Sequence, residues 1–444
     1  MPGNPQNNLE QIVSWAKRRG FVYPSDEIYG GLNAIYNFGP YGALLKNNLR
    51  ENFLNRWIRQ EPNIFLIDTA IITKLETLRA SGHEAGFTDP LVECLKCRKR
   101  FRQDKLVKGK TDADKCPECA GELSEPRPFN LMFSTYIGSV ENENNKVYLR
   151  PETAQGIFTS FSYILDIMRA KLPFGLAQIG KCFRNEITAR QFIFRLREFE
   201  IAEIEYFVDP KTADEEFEKW VSSWEKFILN LGIKKENLRR REHSKKELAH
   251  YSCATTDIEY RFPFGWGEIA GIANREDFDL KQHEKTSGQA QKYFDSASGK
   301  KIMPFVIEPT CSLERLALAV MAGGFCQSDG ADGRAKGERV LKIKPELAPI
   351  KAAIFPLIKK PGLAKISRSI FADLSKKFYC EYDESGSIGR RYRRQDEIGT
   401  PFCITVDFDS LEDGAATVRE RDTMKQERIQ IKEISDYLDE KLND

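Results

Sequence analysis

Along residues 9–20 apolar side chains recur at Leu9, Ile12, Val13 and Ala16, the spacing of one helix face, and Gly20 supplies a stop. Residues 42–60 continue as a longer amphipathic helix that Glu61-Pro62 closes. From 129 to 207 the pattern predicts short strands and one helix near 152–171. Residues 210–250 are heavily charged, with Trp220 and Trp224 on one helix face, and read as a helical insertion. Strand patterns return at 257–262, 268–273 and 302–308, and an apolar helix follows over 313–322. Residues 327–339, rich in Gly, Asp and Ser, mark a domain boundary. Beyond it come a buried strand (350–357), a helix (363–377), a short strand (379–382), a basic helix and a strand (402–408). That alternation predicts an α/β domain of about 100 residues.

Composition narrows the function classes. The 68 Lys and Arg nearly cancel the 66 Asp and Glu, so bulk charge alone does not bind nucleic acid, although local basic patches remain open. Apolar runs last only a few residues, against the ~20 that a spanning helix needs, so no membrane association is expected. The first residues carry neither a basic nor an apolar leader region. Four of the ten cysteines form two close pairs and six are scattered, which is no disulfide scaffold and suits a reducing cytoplasm.

The close pairs, Cys94 and Cys97, then Cys116 and Cys119, stand 18 residues apart. Four thiolates at that spacing make the closed, structural type of zinc site; the alternative is four free buried cysteines. Cys94 to Lys110 holds eight basic residues and one acid, either a solvated loop or a surface that touches phosphate.

A second cluster is Phe183-Arg184-Asn185-Glu186, followed by Phe194-Arg195-Leu196-Arg197-Glu198-Phe199-Glu200 and then Glu203 and Glu205. If both runs are strands, Arg184 and Glu186 share one face, and Arg195, Arg197, Phe199, Glu203 and Glu205 share another. Such a face suits a ligand with phosphates, a flat base and an ammonium; an exposed, salt-bridged hairpin is the alternative. In Ile307-Glu308-Pro309-Thr310-Cys311-Ser312-Leu313-Glu314-Arg315 a strand runs into a helix whose first turn holds Arg315. A cation there opposes the helix dipole unless an anion, such as a phosphate or a nearby acid, offsets it.

Phe183-Arg184-Asn185-Glu186 with Phe199, and Glu314-Arg315, resemble the second and third signature motifs of class II aminoacyl-tRNA synthetases. Longer strings resemble glycyl-tRNA synthetases of the single-chain, homodimeric type: Tyr36-Asn37-Phe38-Gly39-Pro40, Ala80-Ser81-Gly82-His83, Arg150-Pro151-Glu152-Thr153-Ala154-Gln155-Gly156 and Tyr392-Arg393-Arg394-Gln395-Asp396-Glu397-Ile398-Gly399-Thr400-Pro401. The similarity runs from about residue 9 to 442. It implies an α+β fold: a class II catalytic domain over 1–340, built on a six-stranded antiparallel sheet with flanking helices. Insertions would fall at about 90–127 (a zinc ribbon) and 210–250, and 345–444 would be an α/β anticodon-binding domain.

The resemblance also implies ligation of glycine to its tRNA through a glycyl-adenylate, with ATP as substrate. Arg184 would bind the α-phosphate, Arg315 the γ-phosphate, and Phe199 would stack on adenine. Asn185, Glu186, Phe194, Arg195, Leu196, Arg197, Glu198, Ile269, Ser312, Leu313 and Glu314 would complete the ATP site, and Glu268 would hold Mg²⁺. Glycine would meet Glu152, Glu203, Glu308 and Thr310, with Arg275 on its carboxylate and Arg102, Glu200, Ile201 and Ala202 nearby. Relatives usually carry Ser-x-Gly where this chain has Thr310-Cys311-Ser312, Gln at Ile201 and a large aromatic at Ala270. A synthetase-derived RNA-binding protein without the ligase activity, and a class II synthetase for another small amino acid, are the competing readings. The arginines around Tyr392 are expected to meet the anticodon loop.

Overall fold

The computed structural model describes residues 9–106, 115–187, 191–331 and 334–443; Lys108 and Lys110 of the basic segment lie outside them. Its centre is one seven-stranded sheet. In chain order the strands are β1 (Ile64–Leu66), β2 (Phe174–Phe183), β3 (Glu198–Val208), β4 (Leu238–Glu242), β5 (Ala254–Phe262), β6 (Gly265–Glu276) and β7 (Phe305–Ser312). They lie in the order β4-β5-β6-β7-β3-β2-β1. The six from β4 to β2 are antiparallel neighbours, and β1 adds a parallel edge to the six-stranded antiparallel arrangement that the motifs imply.

Alternation along β3 builds both faces of this sheet. Ala202, Ile204, Tyr206 and Val208 point into the main core. That core is filled from behind by α1 (Leu9–Arg18), α2 (Pro40–Leu54), α4 (Ala213–Asn230) and α5 (Leu313–Gly324), with α3 (Ala154–Met168) lying elsewhere. On the front, Phe207 packs with Phe174 and Phe161 beneath α3. Two residues earlier the same face turns polar, at Glu205 and Glu203. The front is therefore half core and half site.

Helix α2 starts at Pro40, in the first turn where its missing N–H costs nothing. Gly42 is obligatory there, because a Cβ would sit 1.9 Å from the Phe21 carbonyl oxygen. The helix expected over 42–60 runs to Arg59, and its last turn, Asn55–Arg59, is wider than the rest and places Trp57 against Trp224, stacked at 5.0 Å.

Residues 210–250 differ from the expected helical insertion. Helix α4 buries Phe217, Trp220, Val221, Trp224, Phe227 and Ile228 in the main core, and β4 then forms the sheet edge. Its charges lie on the outer face except the buried Glu225, which Lys235 and Arg240 hold, and the tryptophan pair belongs to an apolar stripe that the sheet requires.

Residues 88–130 form a separate small unit. Thr88–Glu93 pairs with Arg100–Arg102 on one side and Arg127–Asn130 on the other, all antiparallel. The C-terminal unit has a five-stranded mixed sheet with its own core, including Ile354, Leu363, Ile370, Ile404 and Leu438. Its strand Ala352–Pro356, next to the edge, is parallel to both Cys380–Tyr382 and the central Phe402–Val406. Polar contacts tie this unit to the first. Trp15 Nε1 donates to the Glu397 carbonyl at 3.1 Å, and Asn48 Nδ2 to those of Leu347 and Ala348 at 3.1 and 2.9 Å.

Candidate active site

The front of the large sheet opens into a cavity of about 310 Å³. Strand β3 supplies Phe199, Ile201 and Glu203, β7 supplies Glu308, Thr310 and Ser312, and β6 supplies Glu268 and Gly271. The register explains the convergence: Glu203 pairs with Thr310, and Thr310 with Gly271. The β2–β3 connection adds Arg184, Glu186, Phe194, Arg195 and Leu196, and α5 adds Arg315. Arg184 and Glu186 lie just past the end of β2 rather than within it. Pairing still continues one step, since the Arg184 N–H donates to the Arg197 carbonyl at 2.9 Å.

Two guanidinium groups face the cavity without being used up. Arg184 donates through Nε to the Pro151 carbonyl at 3.0 Å and lies 5.3 and 5.4 Å from the Phe87 and Phe199 rings. Arg315 is held by the carbonyls of Phe194 and Glu268 at 3.1 and 3.0 Å, and its Nη1 lies 3.2 Å from Glu268 Oε2. Ser312 Oγ caps the helix start by accepting from the Arg315 N–H at 3.4 Å. The nearby acid is thus present, at the mouth rather than in the core; the Glu268 side chain is 45% exposed.

The floor is acidic. Glu152, Glu203 and Glu308 line it, and Glu205 lies behind them, fully buried, with neither carboxyl oxygen hydrogen-bonded among the described residues. Burial, then Glu308 and Glu152, pushes the Glu203 pKa well above the ordinary carboxylate range. Burial and Glu308 do the same to Glu205. Burial also raises Glu308, partly countered by Arg275. Glu152 goes the other way: burial opposes its charge, but His83, Arg275 and Gln155 outweigh it and hold its pKa far below the usual range. Burial thus pushes three of these carboxyls one way, while the charged and polar partners of Glu152 push it the other.

Several sequence-predicted residues lie elsewhere. Glu200 and Ala202 alternate onto the back of β3, where Arg50 Nε donates to Glu200 Oε1 at 2.7 Å and Lys46 lies 2.8 Å away. Glu314 joins that buried cluster, accepting from the Glu200 N–H at 2.9 Å. Ile269 and Leu313 are core residues, as is Ala270, which packs behind the sheet rather than beside the cavity. Arg197 braces the loop through the carbonyls of Asn33 and Glu186. Glu198 pairs with Lys181, and the Asn185 N–H donates to the Leu131 carbonyl. Arg102 stays in the small unit, on Asp89 and Asp104 at 2.7 and 2.9 Å. Arg275 lies beneath the floor, 1% exposed, donating to Asp279 and to Glu308 Oε2 at 3.0 Å and stacked 3.9 Å from the Tyr251 ring. It holds the floor rather than opening onto it. Sequence reasoning missed His243, Tyr251 and Asp257, which complete the wall. The loop that carries the first two has no periodicity to flag it.

In the small unit the Cys94 and Cys119 sulfurs are 3.5 Å apart and those of Cys97 and Cys116 3.7 Å, with all four within 4.8 Å and none in a disulfide. A tetrahedron of ~2.3 Å Zn–S bonds sets S···S near ~3.8 Å, so the donor set fits Zn²⁺. Around Tyr392 the expected RNA-facing arginines are largely committed: Arg391 is buried on the Pro356 and Leu357 carbonyls, Arg394 holds Asp383, and Arg393 pairs with Glu338. Strand ends leave carbonyls that need donors, and this helix provides them.

Comparison with known proteins agrees with this geometry. Residues 136–323 match the class II tRNA synthetase core domain of the G, H, P, S and T enzymes, and residues 351–441 match an anticodon-binding domain. Sheet, motifs and appended domain define a class II aminoacyl-tRNA synthetase. The chain is 48% identical to the glycine–tRNA ligase of Caldanaerobacter subterraneus subsp. tengcongensis, covering 98% of both chains. It is 48% identical to that of Bifidobacterium longum, over 98% of this chain and 92% of the other, and 47% to that of Thermobifida fusca, over 98% of each. This protein belongs to the glycine–tRNA ligase family.

Proposed function

We propose that this chain activates glycine with ATP and transfers it to its tRNA. The observation that carries this reading is the cavity itself, which brings Glu152, Glu203 and Glu308 together with Arg184, Arg315 and the Phe199 ring. The acidic floor takes the glycine ammonium, chiefly on Glu152 with Glu203 and Glu308. Phe199 offers a face for adenine, Arg184 sits at the α-phosphate, and Arg315 takes the γ-phosphate. A glycine carboxylate oxygen attacks the α-phosphorus and pyrophosphate leaves. Catalysis is alignment plus a guanidinium where charge develops, with no side-chain nucleophile. A terminal tRNA hydroxyl then attacks the glycyl carbonyl and AMP departs. Glu268, half-exposed beside Arg315, is the group that would hold Mg²⁺ with the phosphates. Zinc on Cys94, Cys97, Cys116 and Cys119 is structural, since four thiolates leave no open position.

The tRNA anticodon is read at the C-terminal ends of the parallel strands in the second unit. There Phe408, Ile358 and Leu411 are exposed and Lys360 lies over the Phe408 ring at 4.6 Å. The working unit is a homodimer: β1 is an open sheet edge with Leu66 exposed, and Ile72, Tyr163 and Ile167 add exposed apolar surface. No described helix is long and apolar enough to cross a membrane, and described cysteines held outside disulfides suit the cytoplasm. Glycine-dependent exchange of pyrophosphate into ATP tests the first half-reaction. Exchange driven by glycine supports it, and exchange driven only by alanine, serine or threonine would replace glycine as the substrate.

A further inference from the structure

Ala80-Ser81-Gly82-His83 marks the sequence but has no part in the chemistry above. The structure brings it against Glu152 from nearly seventy residues away. Ser81 and His83 are 1% and 5% exposed, so neither is a surface residue. Ser81 Oγ lies 2.8 Å from His83 Nδ1, and His83 Nε2 lies 3.2 Å from Glu152 Oε2. Gly82, at φ +80°, makes the turn that lets these two side chains meet.

The other Glu152 oxygen is held as well. Gln155 Nε2 donates to Oε1 at 3.0 Å and to Asp279 Oδ1 at 2.9 Å. The Gln155 amide is itself oriented, because its carbonyl oxygen lies 2.9 Å from His283 Nε2. Both oxygens therefore have a fixed donor, unlike those of Glu205. A carboxylate at 3.2 Å requires the His83 proton on Nε2, and Ser81 Oγ serves Nδ1 as either acceptor or donor. The 5.3 Å contact with the Phe87 ring fixes the plane of the imidazole.

We propose that His83 is a positioning residue for amino-acid binding: its Nε2–H fixes the Glu152 carboxylate facing the cavity, where it accepts from the substrate ammonium. The proposal rests on the reading of Glu152 as an ammonium acceptor. Glu203 and Glu308 lack such a clamp, since Glu203 meets Thr153 and Glu308 meets Arg275 from below. His83 is not among the residues that line the cavity and reaches it only through Glu152, so its contribution belongs to glycine binding and not to ATP binding or the chemical step.

Two substitutions separate the two ends of the ring. His83→Gln keeps a donor that reaches Glu152, whereas His83→Asn keeps only the reach to Ser81. In glycine-dependent pyrophosphate exchange with the full-length protein, His83→Asn should raise the glycine KM about 10- to 100-fold, the range for a lost hydrogen bond to a charged group. Its ATP KM and kcat should stay within about three-fold, and His83→Gln should restore the glycine KM to within about three-fold of the parent. An unchanged glycine KM in His83→Asn, or equal losses for glycine and ATP, would overturn the proposal while leaving the ligase reading intact. If His83→Asn does not fold, His83→Gln decides alone: a glycine KM more than about ten-fold above the parent overturns it. A parent protein without glycine-dependent exchange would instead overturn the ligase reading, and the proposal with it.

Discussion

Replacing Glu205 by Gln should stabilise the protein, and by more as the pH rises. Glu205 is fully buried on β3, both oxygens lack a hydrogen-bond partner among the described residues, and burial together with Glu308 raises its pKa well above the ordinary range. In the unfolded chain a glutamate loses its proton near ~4.3. Above that pH folding takes up a proton at Glu205, so the native state weakens with rising pH for as long as the folded carboxyl stays protonated. The slope is about 1.36 kcal/mol per pH unit. Gln has nearly the same shape and no such linkage. Between about pH 5.5 and about pH 7.5 the advantage of Glu205→Gln over the parent should therefore grow by up to about 2.7 kcal/mol. Glu203 and Glu308 titrate in both proteins and cancel to first order. Urea unfolding of both proteins at the two pH values reads the difference directly. A gap that does not change with pH, or a glutamine variant weaker than the parent at the higher pH, would show that Glu205 is ionised and satisfied in the fold.

Arg184→Ala should lower the exchange kcat by about 10²–10³ with little change in the glycine KM, since its contact strengthens as charge develops at phosphorus; an unaltered rate would remove Arg184 from the site. Metal analysis should give about one zinc per chain, and Cys97→Ser should lose it and expose residues 88–130 to proteolysis; an intact, metal-free ribbon would contradict the assignment. Phe408→Ala should raise the tRNA KM for charging about ten-fold, the scale of one lost base stack, and leave exchange untouched. Equal charging by variant and parent would move the anticodon contact elsewhere.

Much of this was legible because certain residue types have few alternatives. Two paired cysteine motifs at ribbon spacing imply converging thiolates, and the sulfurs do converge. Alternation along β3 correctly placed Phe199 and Glu203 on one face, and the pocket lies there. The same alternation argues against Glu200 and Ala202, which were drawn toward the site by adjacency in the motif and lie on the other side of the pleat. Glu314 looked like a ligand because it precedes Arg315, yet one helical step turns it into a buried cluster with Lys46 and Glu200. The arginines near Tyr392 read as a surface for RNA because the string around them resembles an anticodon-binding domain, but carbonyls at the strand ends claim Arg391 first. His83 and Arg275 act on the site through contacts that only the tertiary fold creates, so no local pattern announces their roles.

If one cavity joins glycine to ATP and delivers it to tRNA, the full-length protein forms acid-precipitable glycyl-tRNA from labelled glycine, ATP and glycine tRNA. The label should depend on ATP, should not arise from labelled alanine or serine, and should be nearly abolished by Arg184→Ala. A folded, zinc-loaded protein that leaves the tRNA uncharged, or that charges it equally well without Arg184, would contradict that role of the cavity.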